Sequence, residues 1–290
     1  MKEIVIISGK GGTGKTVMAA SFTALAKKVV IGDCDVDASN LYLLLHPEIK
    51  EKHDFYAGLI PYLSLEKCSN CGRCQEVCRF EAINTINGQT VIDLISCEGC
   101  SVCALVCPVE AIQMKENHCG EWYISETKYG PLVYARLGIA EENSGKLVTL
   151  VRQNAQEIAK KNGSDLIIID GPPGIGCPLI ATLTGANLAV VVTEPTLSGM
   201  HDLERVVKVA QHFGVQTVVI INKFDINLEN STRIKEWCQD NNLKLIGKIH
   251  FDNIITEALV RGLPVVEYSN NKAANEIKNI WKKIEEMINK

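Results

Sequence analysis

An α/β fold is predicted: a parallel sheet with helices on both faces, plus a small inserted α+β domain. Three observations carry the prediction. Short apolar, β-branched runs alternate with helical patterns along most of the chain. A glycine-rich loop joins the first such run to the first helix. Eight of the twelve cysteines crowd between Cys68 and Cys107, where the alternation stops.

The strand-like runs are Ile4 to Ile7, Val29 to Ile31, Leu166 to Ile169, Leu188 to Val192, Val218 to Ile221 and Leu243 to Ile249. Between them the helical patterns cover Thr16 to Lys27, Lys146 to Lys161, Gly199 to Phe213, Glu229 to Asn241, Asn253 to Arg261 and Ala273 to Asn289. The last is amphipathic, with Ile277, Ile280, Trp281, Ile284 and Met287 on one face, and packing against the sheet is expected rather than a membrane surface, because Glu276, Glu285 and Glu286 offset its lysines. Between about Pro61 and Lys115 short segments rich in cysteine and glycine replace this rhythm, so the expected organisation is one domain over 1–60 and 117–290 with an insert over 61–116. The insert repeats internally: Cys68 to Ile83 and Cys97 to Ile112 share four cysteines followed by Ala-Ile, at a constant shift. Two strand-like runs within Glu121 to Leu137, WYIS and PLVYARL, fall in neither domain by pattern alone.

With 290 residues, 46% hydrophobic and 22% charged, the chain is expected to be a soluble globular protein. A net charge of -4 offers no cationic field for nucleic acid or an anionic membrane. The first residues run straight into a strand without an export signal, and the apolar runs are strand-sized, so a cytoplasmic protein without stable membrane insertion is expected. In that compartment bunched cysteines point to metal rather than disulfides.

Gly9-Lys10-Gly11-Gly12-Thr13-Gly14-Lys15-Thr16 fits G-x-x-x-x-G-K-[ST] between a strand and a helix. Backbone amides of Gly11, Gly12, Thr13 and Gly14 would wrap the phosphates, Lys15 would reach the β- and γ-phosphates, and the Thr16 hydroxyl would ligate Mg²⁺. Asp35 and Asp170 sit at the carboxyl ends of strands, where ligands bind in such sheets. Asp170 is the candidate second Mg²⁺ ligand, and Asp35 the candidate that orients the attacking water. Asp33 and Asp37 are as well explained by capping or solvation as by function.

The second lysine of the loop, together with D-C-D-V-D-A-S-N and D-G-P-P-G, resembles the MinD/ParA superfamily of deviant Walker-A ATPases, which includes the nitrogenase iron protein. The resemblance implies a homodimer on nucleotide binding, in which Lys10 crosses to the partner's nucleotide. Asn222-Lys223-Phe224-Asp225 looks like the N-K-x-D that reads guanine, but superfamily members carry a similar asparagine on adenine. ATP is therefore favoured, with Asn222 against the base, and GTP stays open.

Cys68, Cys71, Cys74 and Cys78, then Cys97, Cys100, Cys103 and Cys107 followed by Pro108, repeat the C-x2-C-x2-C-x3-C run of bacterial ferredoxins. In such runs the fourth cysteine ligates the other cluster. Cys68, Cys71, Cys74 and Cys107 would hold one [4Fe-4S] cluster, and Cys97, Cys100, Cys103 and Cys78 the second; zinc is the alternative for C-x2-C spacing. Arg79 stands where the run would carry proline. The combination resembles MinD-type ATPases with an inserted ferredoxin domain, over nearly the whole chain including Tyr129-Gly130-Pro131 and Asn143-Ser144-Gly145-Lys146. The remaining cysteines read as buried thiols, except Cys177, which lies near where the nitrogenase iron protein places a cluster ligand. The expected function is ATP hydrolysis coupled to electron transfer toward a protein redox partner, or to assembly of clusters on an apo-acceptor.

Overall fold

The computed structural model describes residues 1–138, 141 and 144–289. It forms two compact units. The first is Met1–His53, Glu121–Leu137 and the chain from Ser144 on; the second is Asp54–Gly120 with the described residues of Gly138–Asn143. The second unit is thus wider than the expected 61–116, because the flanking strands continue beyond the cysteine-rich core.

Along the chain the elements are β1 (Lys2–Ser8), α1 (Lys15–Leu25), β2 (Val29–Asp33), α2 (Tyr42–Leu45) and β3 (Glu48–Leu63), followed by α3 (Arg73–Val77), β4 (Ile83–Ile86), β5 (Gln89–Ile92) and α4 (Val102–Leu105). There follow β6 (Ile112–Thr127), β7 (Gly130–Leu137), α5 (Ser144–Asn162), β8 (Leu166–Pro173), α6 (Cys177–Leu183), β9 (Leu188–Thr193), α7 (Leu197–His212) and β10 (Gln216–Asn222). A 3-10 turn at Phe224–Ile226 leads to α8 (Leu228–Asp240), β11 (Lys244–Ile249), α9 (Asn253–Val260), α10 (Val265–Tyr268) and α11 (Lys272–Ile288).

Among the described residues nine strands form one sheet in the order β11-β10-β9-β1-β8-β2-β7-β6-β3. From β11 to β7 all neighbours are parallel. Its centre is apolar on both faces: Ile4 to Ile7, Ile167 to Ile169 and Ala189 to Val192 are fully buried, as a parallel sheet between two helical layers requires. The run PLVYARL is β7, and its register Ile31↔Leu132 and Asp33↔Tyr134 puts it in the first unit. The first half of β3 was invisible to an apolar pattern because Glu48 to Lys52 are all exposed; the Lys52–Glu121 ion pair at 2.6 Å and the stacking of His53 on Trp122 hold it instead.

The C-terminal helix α11 buries Ile277, Ile280, Trp281 and Ile284, and Trp281 stacks on Phe22 of α1 at 5.4 Å. Gly247 allows this approach, since a Cβ there would stand 2.2 Å from Ile280 Cγ1. Lys290 lies outside the described residues. Among the described residues no helix is long and apolar enough to cross a membrane.

One buried ion pair locks the elements behind the sheet. Arg152 of α5 donates through Nε to Glu3 Oε1 at 2.6 Å and through Nη1 to the Ala181 and Thr184 carbonyls at the end of α6. Gln156 donates to the other oxygen of Glu3. Arg152→Ala strands the Glu3 carboxylate in the core and is expected to cost about 3–5 kcal/mol in urea unfolding, whereas replacing Glu3 and Arg152 together by methionine recovers most of the loss.

Candidate functional site

The loop between β1 and α1 is folded by constraints on all sides. Gly12 and Gly14 take positive φ, 79° and 94°, a region closed to most side chains. Asn222, at the end of β10, donates its side-chain amide to the Thr13 carbonyl at 2.8 Å and accepts from the Lys223 amide at 3.0 Å. A Cβ on Gly14 would lie 2.5 Å from that same Asn222 nitrogen. Asn222 is therefore a brace of the glycine loop, a role that the sequence reading, which set it against the base, missed.

Lys15 is buried, with its ammonium 3.9 Å from Asp35 Oδ2. Asp33, the last residue of β2, and Asp170, within β8, are neighbours in register. Asp33 accepts from the Ser39 hydroxyl at 2.7 Å and from the amides of Asp35 and Leu41 at 3.1 and 3.2 Å. It ties down the loop that carries Asp35 and Asp37. Burial pushes Asp33 up to about 6, opposed by the Ser39 bond and reinforced by the charge of Asp35.

Asp170 is different. It is fully buried, and neither carboxylate oxygen makes a hydrogen bond of ordinary geometry. Burial, then the charge of Asp33, drives its pKa well up, only partly countered by Lys15 and the Thr16 hydroxyl. Burial raises Asp35 as well, against the pull of Lys15. Three carboxylates against one ammonium leave an excess of negative charge that a divalent cation would neutralise, and an unpartnered Asp170 beside the Thr16 hydroxyl fits a hard cation with oxygen ligands. The residues present thus fit Mg²⁺.

A cavity of about 700 Å³ opens over this group. Gly11, Gly12, Gly14, Lys15, Thr16 and Asp35 line its polar side, and Leu43, Leu44, Ile175 and Leu259 its apolar side. The Thr13 hydroxyl is buried without a partner. The volume, the glycine loop at a helix start and the Lys15 ammonium among the lining residues fit a nucleoside triphosphate.

Lys10 points elsewhere. Its ammonium donates to Thr196 Oγ1 at 3.1 Å and Ser198 Oγ at 3.2 Å, and stands 3.5 Å from Glu194 Oε2. Lys223 holds the other oxygen of Glu194 at 2.6 Å. Asp225, the last residue of the N-K-x-D motif, accepts from the Phe251 amide at 2.7 Å. The role of Glu194 in positioning Lys10 had no signal in the sequence, because no motif links residues so far apart.

In the second unit the structure gathers Cys68, Cys71, Cys74 and Cys107 around one small cavity, and Cys78, Cys97, Cys100 and Cys103 around another. Each set draws its fourth thiol from the other run. Among the described residues no three metal-binding side chains converge on the position of a single ion; each set lines a space instead. Backbone amides face the sulfurs: Asn70 donates to Cys68 Sγ at 3.4 Å and Ala111 to Cys107 Sγ at 3.2 Å. Such donors stabilise thiolates, and four thiols around one cavity fit a cubane cluster better than isolated thiols would. Burial raises Cys74 and Cys103, whereas Cys71 and Cys100 are exposed.

Of the other residues singled out, Cys34, Cys119 and Cys238 are buried, and Cys177 is exposed at the first position of α6. Ser144 opens α5 and Lys146 is exposed; Asn143 lies outside the described residues.

The family model of the CobQ/CobB/MinD/ParA nucleotide-binding domain matches residues 4–265. An uncharacterized protein of Methanocaldococcus jannaschii is 36% identical over 290 residues, covering 99% of this chain and 97% of that protein. The septum site-determining protein MinD of Bacillus subtilis is 24% identical over 295 residues, covering 98% and 88% respectively. Among solved structures, MinD of Pyrococcus horikoshii complexed with Mg-ADP shares the fold with a TM-score of 0.60 at 19% identity, covering 99% of this chain and 96% of that one.

Asn222→Ala removes the partner of the Thr13 carbonyl. The expected result is a stability loss of about 1–3 kcal/mol in denaturant unfolding, together with weaker Mg-nucleotide binding in calorimetry, since the loop then pays its own ordering entropy on binding.

Proposed function

The chain belongs to the CobQ/CobB/MinD/ParA family of nucleotide-binding proteins, and on that footing we propose that it is a Mg-ATP-hydrolysing iron-sulfur protein in which a nucleotide-dependent homodimer switch is coupled to electron transfer toward a protein partner. The observation that carries the reading is that two sets of four thiols each line a cavity of their own, in a chain whose other unit bears a phosphate-binding loop.

In the ATPase unit, the amides from Gly11 to Thr16 bind the phosphates, and Lys15 neutralises the β- and γ-phosphates. Thr16 and Asp170 hold Mg²⁺, which gives the unpartnered carboxylate its counter-charge. Asp35, kept beside Lys15, orients the attacking water. Lys10, held on its own chain by Thr196, Ser198 and Glu194, is released toward the nucleotide of a second copy when the dimer closes. Asn222 keeps the glycine loop in shape beneath the base, and with Asp225 bound to the Phe251 amide, adenine is the favoured base.

In the second unit, Cys68, Cys71, Cys74 and Cys107 hold one [4Fe-4S] cluster and Cys97, Cys100, Cys103 and Cys78 the other; when bound, these groups supply one-electron chemistry. The thiols keep them apart from bulk water on their buried sides, and the exposed Cys71 and Cys100 mark the sides open to a partner. That same exposure favours a second reading, delivery of clusters or a metal cofactor to an apo-acceptor.

Protein purified without oxygen is expected to contain about eight irons and eight sulfides per chain, with a reduced EPR spectrum that changes on adding Mg-ATP. Spectra indifferent to nucleotide would remove the coupling, and loss of iron to an apo-acceptor would favour the delivery reading. Lys10→Ala is expected to lower ATP turnover roughly 10²-fold or more and to leave the protein monomeric with ATP in light scattering; a dimer with wild-type turnover would exclude the trans role of Lys10.

A further inference from the structure

The two thiol-lined cavities are not equivalent, although the sequence that builds them repeats. The runs are 29 positions apart, so Asn70 corresponds to Gly99. Asn70 and Gly99 share the left-handed backbone, with φ of 50° and 63°. Only the first carries a side chain; a Cβ at Gly99 would meet the Leu59 carbonyl oxygen at 2.2 Å.

Asn70 Oδ1 accepts from the Thr90 amide at 3.0 Å and from the Thr90 hydroxyl at 3.1 Å. Thr90 is buried in β5 and lines the cavity of Cys68, Cys71, Cys74 and Cys107. Its hydroxyl oxygen is 3.8 Å from Cys68 Sγ, which as a thiol can donate to it or to Asn70 Oδ1 at 3.6 Å. A ligating sulfur has no proton to donate and becomes an acceptor only. The Thr90 hydroxyl can then turn about its Cβ–Oγ bond and donate to the sulfur, while the Thr90 amide still satisfies Asn70 Oδ1. No threonine lines the second cavity among the described residues; the hydroxyl there is that of Ser101, which donates to the Gly99 carbonyl at 3.4 Å.

Resting on the reading that each thiol set holds a [4Fe-4S] cluster, we propose that Thr90 is a positioning and tuning residue. Its hydroxyl donates to the Cys68 thiolate, and it makes the cluster of Cys68, Cys71, Cys74 and Cys107 the more easily reduced of the two. Hydrogen bonds to ligand sulfurs stabilise the more negative, reduced state and so raise its potential. Arg73 beside the first set, and Arg79 and Glu98 beside the second, are all exposed, so water screens them. The buried hydroxyl sets the difference.

The test is a potentiometric EPR titration of the full-length protein, with iron counted first. The wild type is expected to show two separate midpoints. Thr90→Val is expected to lower only the higher one, reducing its reduced-to-oxidised ratio about tenfold at fixed potential, equivalent to about 59 mV for a one-electron couple. Thr90→Ser, which keeps the hydroxyl, stays near the wild type. A single wild-type midpoint, unchanged midpoints in Thr90→Val, or equal shifts in the valine and serine variants would overturn the assignment. If Thr90→Val does not load with iron, the wild-type separation decides alone. A wild-type protein without about eight irons sinks the cluster reading itself, an outcome distinct from failure of the tuning role.

Discussion

The ATPase unit is organised around a charge that it cannot neutralise by itself. Asp170 lies within the central strand β8, fully buried, with no hydrogen bond of ordinary geometry to either oxygen, and Asp33 adds a second carboxylate beside it. Ionising a buried carboxyl group that has no partner costs several kcal/mol, which is why burial favours its protonated form until a cation takes the proton's place. The sheet tolerates that cost only because neighbouring strands are held in parallel register by an apolar centre. Strands of this kind bring their carboxyl ends to one edge, which is where the glycine loop, Lys15 and Thr16 also converge. The instability of the empty arrangement and the affinity for a cation are the same free energy seen from two sides.

The other polar groups near this edge serve to shape the backbone. Asp33 is consumed by the Ser39 hydroxyl and two amides, Asn222 by the Thr13 carbonyl and the Lys223 amide, and Asp225 by the Phe251 amide. Preorganisation of this sort lowers the entropy lost on binding. Lys10 is the exception in kind: its ion pair joins it to Glu194 just after β9 and its two hydroxyl contacts to the start of α7, and all are partly exposed, so little energy is needed to exchange them.

The second unit has little apolar core. Cys74, Ile83, Cys103 and Ile112 form its small cluster of buried residues, so side chains that elsewhere would be hydrophobic are replaced by thiols around two cavities. A domain of this size ordinarily needs covalent or metal cross-links to remain folded. Eight free thiols arranged in two sets are the groups available to provide them.

The amino-acid order alone carries the α/β class, the glycine loop and the two cysteine runs, because each depends on local spacing: period-two or helical apolar patterning, glycines at fixed intervals, and thiols two or three residues apart. It missed the charged half of β3, whose residues are exposed and acquire strand structure only from their neighbours across the ladder. It was neutral about Asp33, and it assigned Asn222 by motif. Folding was needed to reveal that Asn222 braces Thr13, 209 positions away, that Glu194 holds Lys10 and Lys223 together, that Asp170 lacks a partner, and which thiols share a cavity. These are facts of long-range pairing and burial, and chain spacing does not encode them: hydrogen-bond partners are chosen by where the completed sheet sets the strand ends, and desolvation exists only once the core has closed.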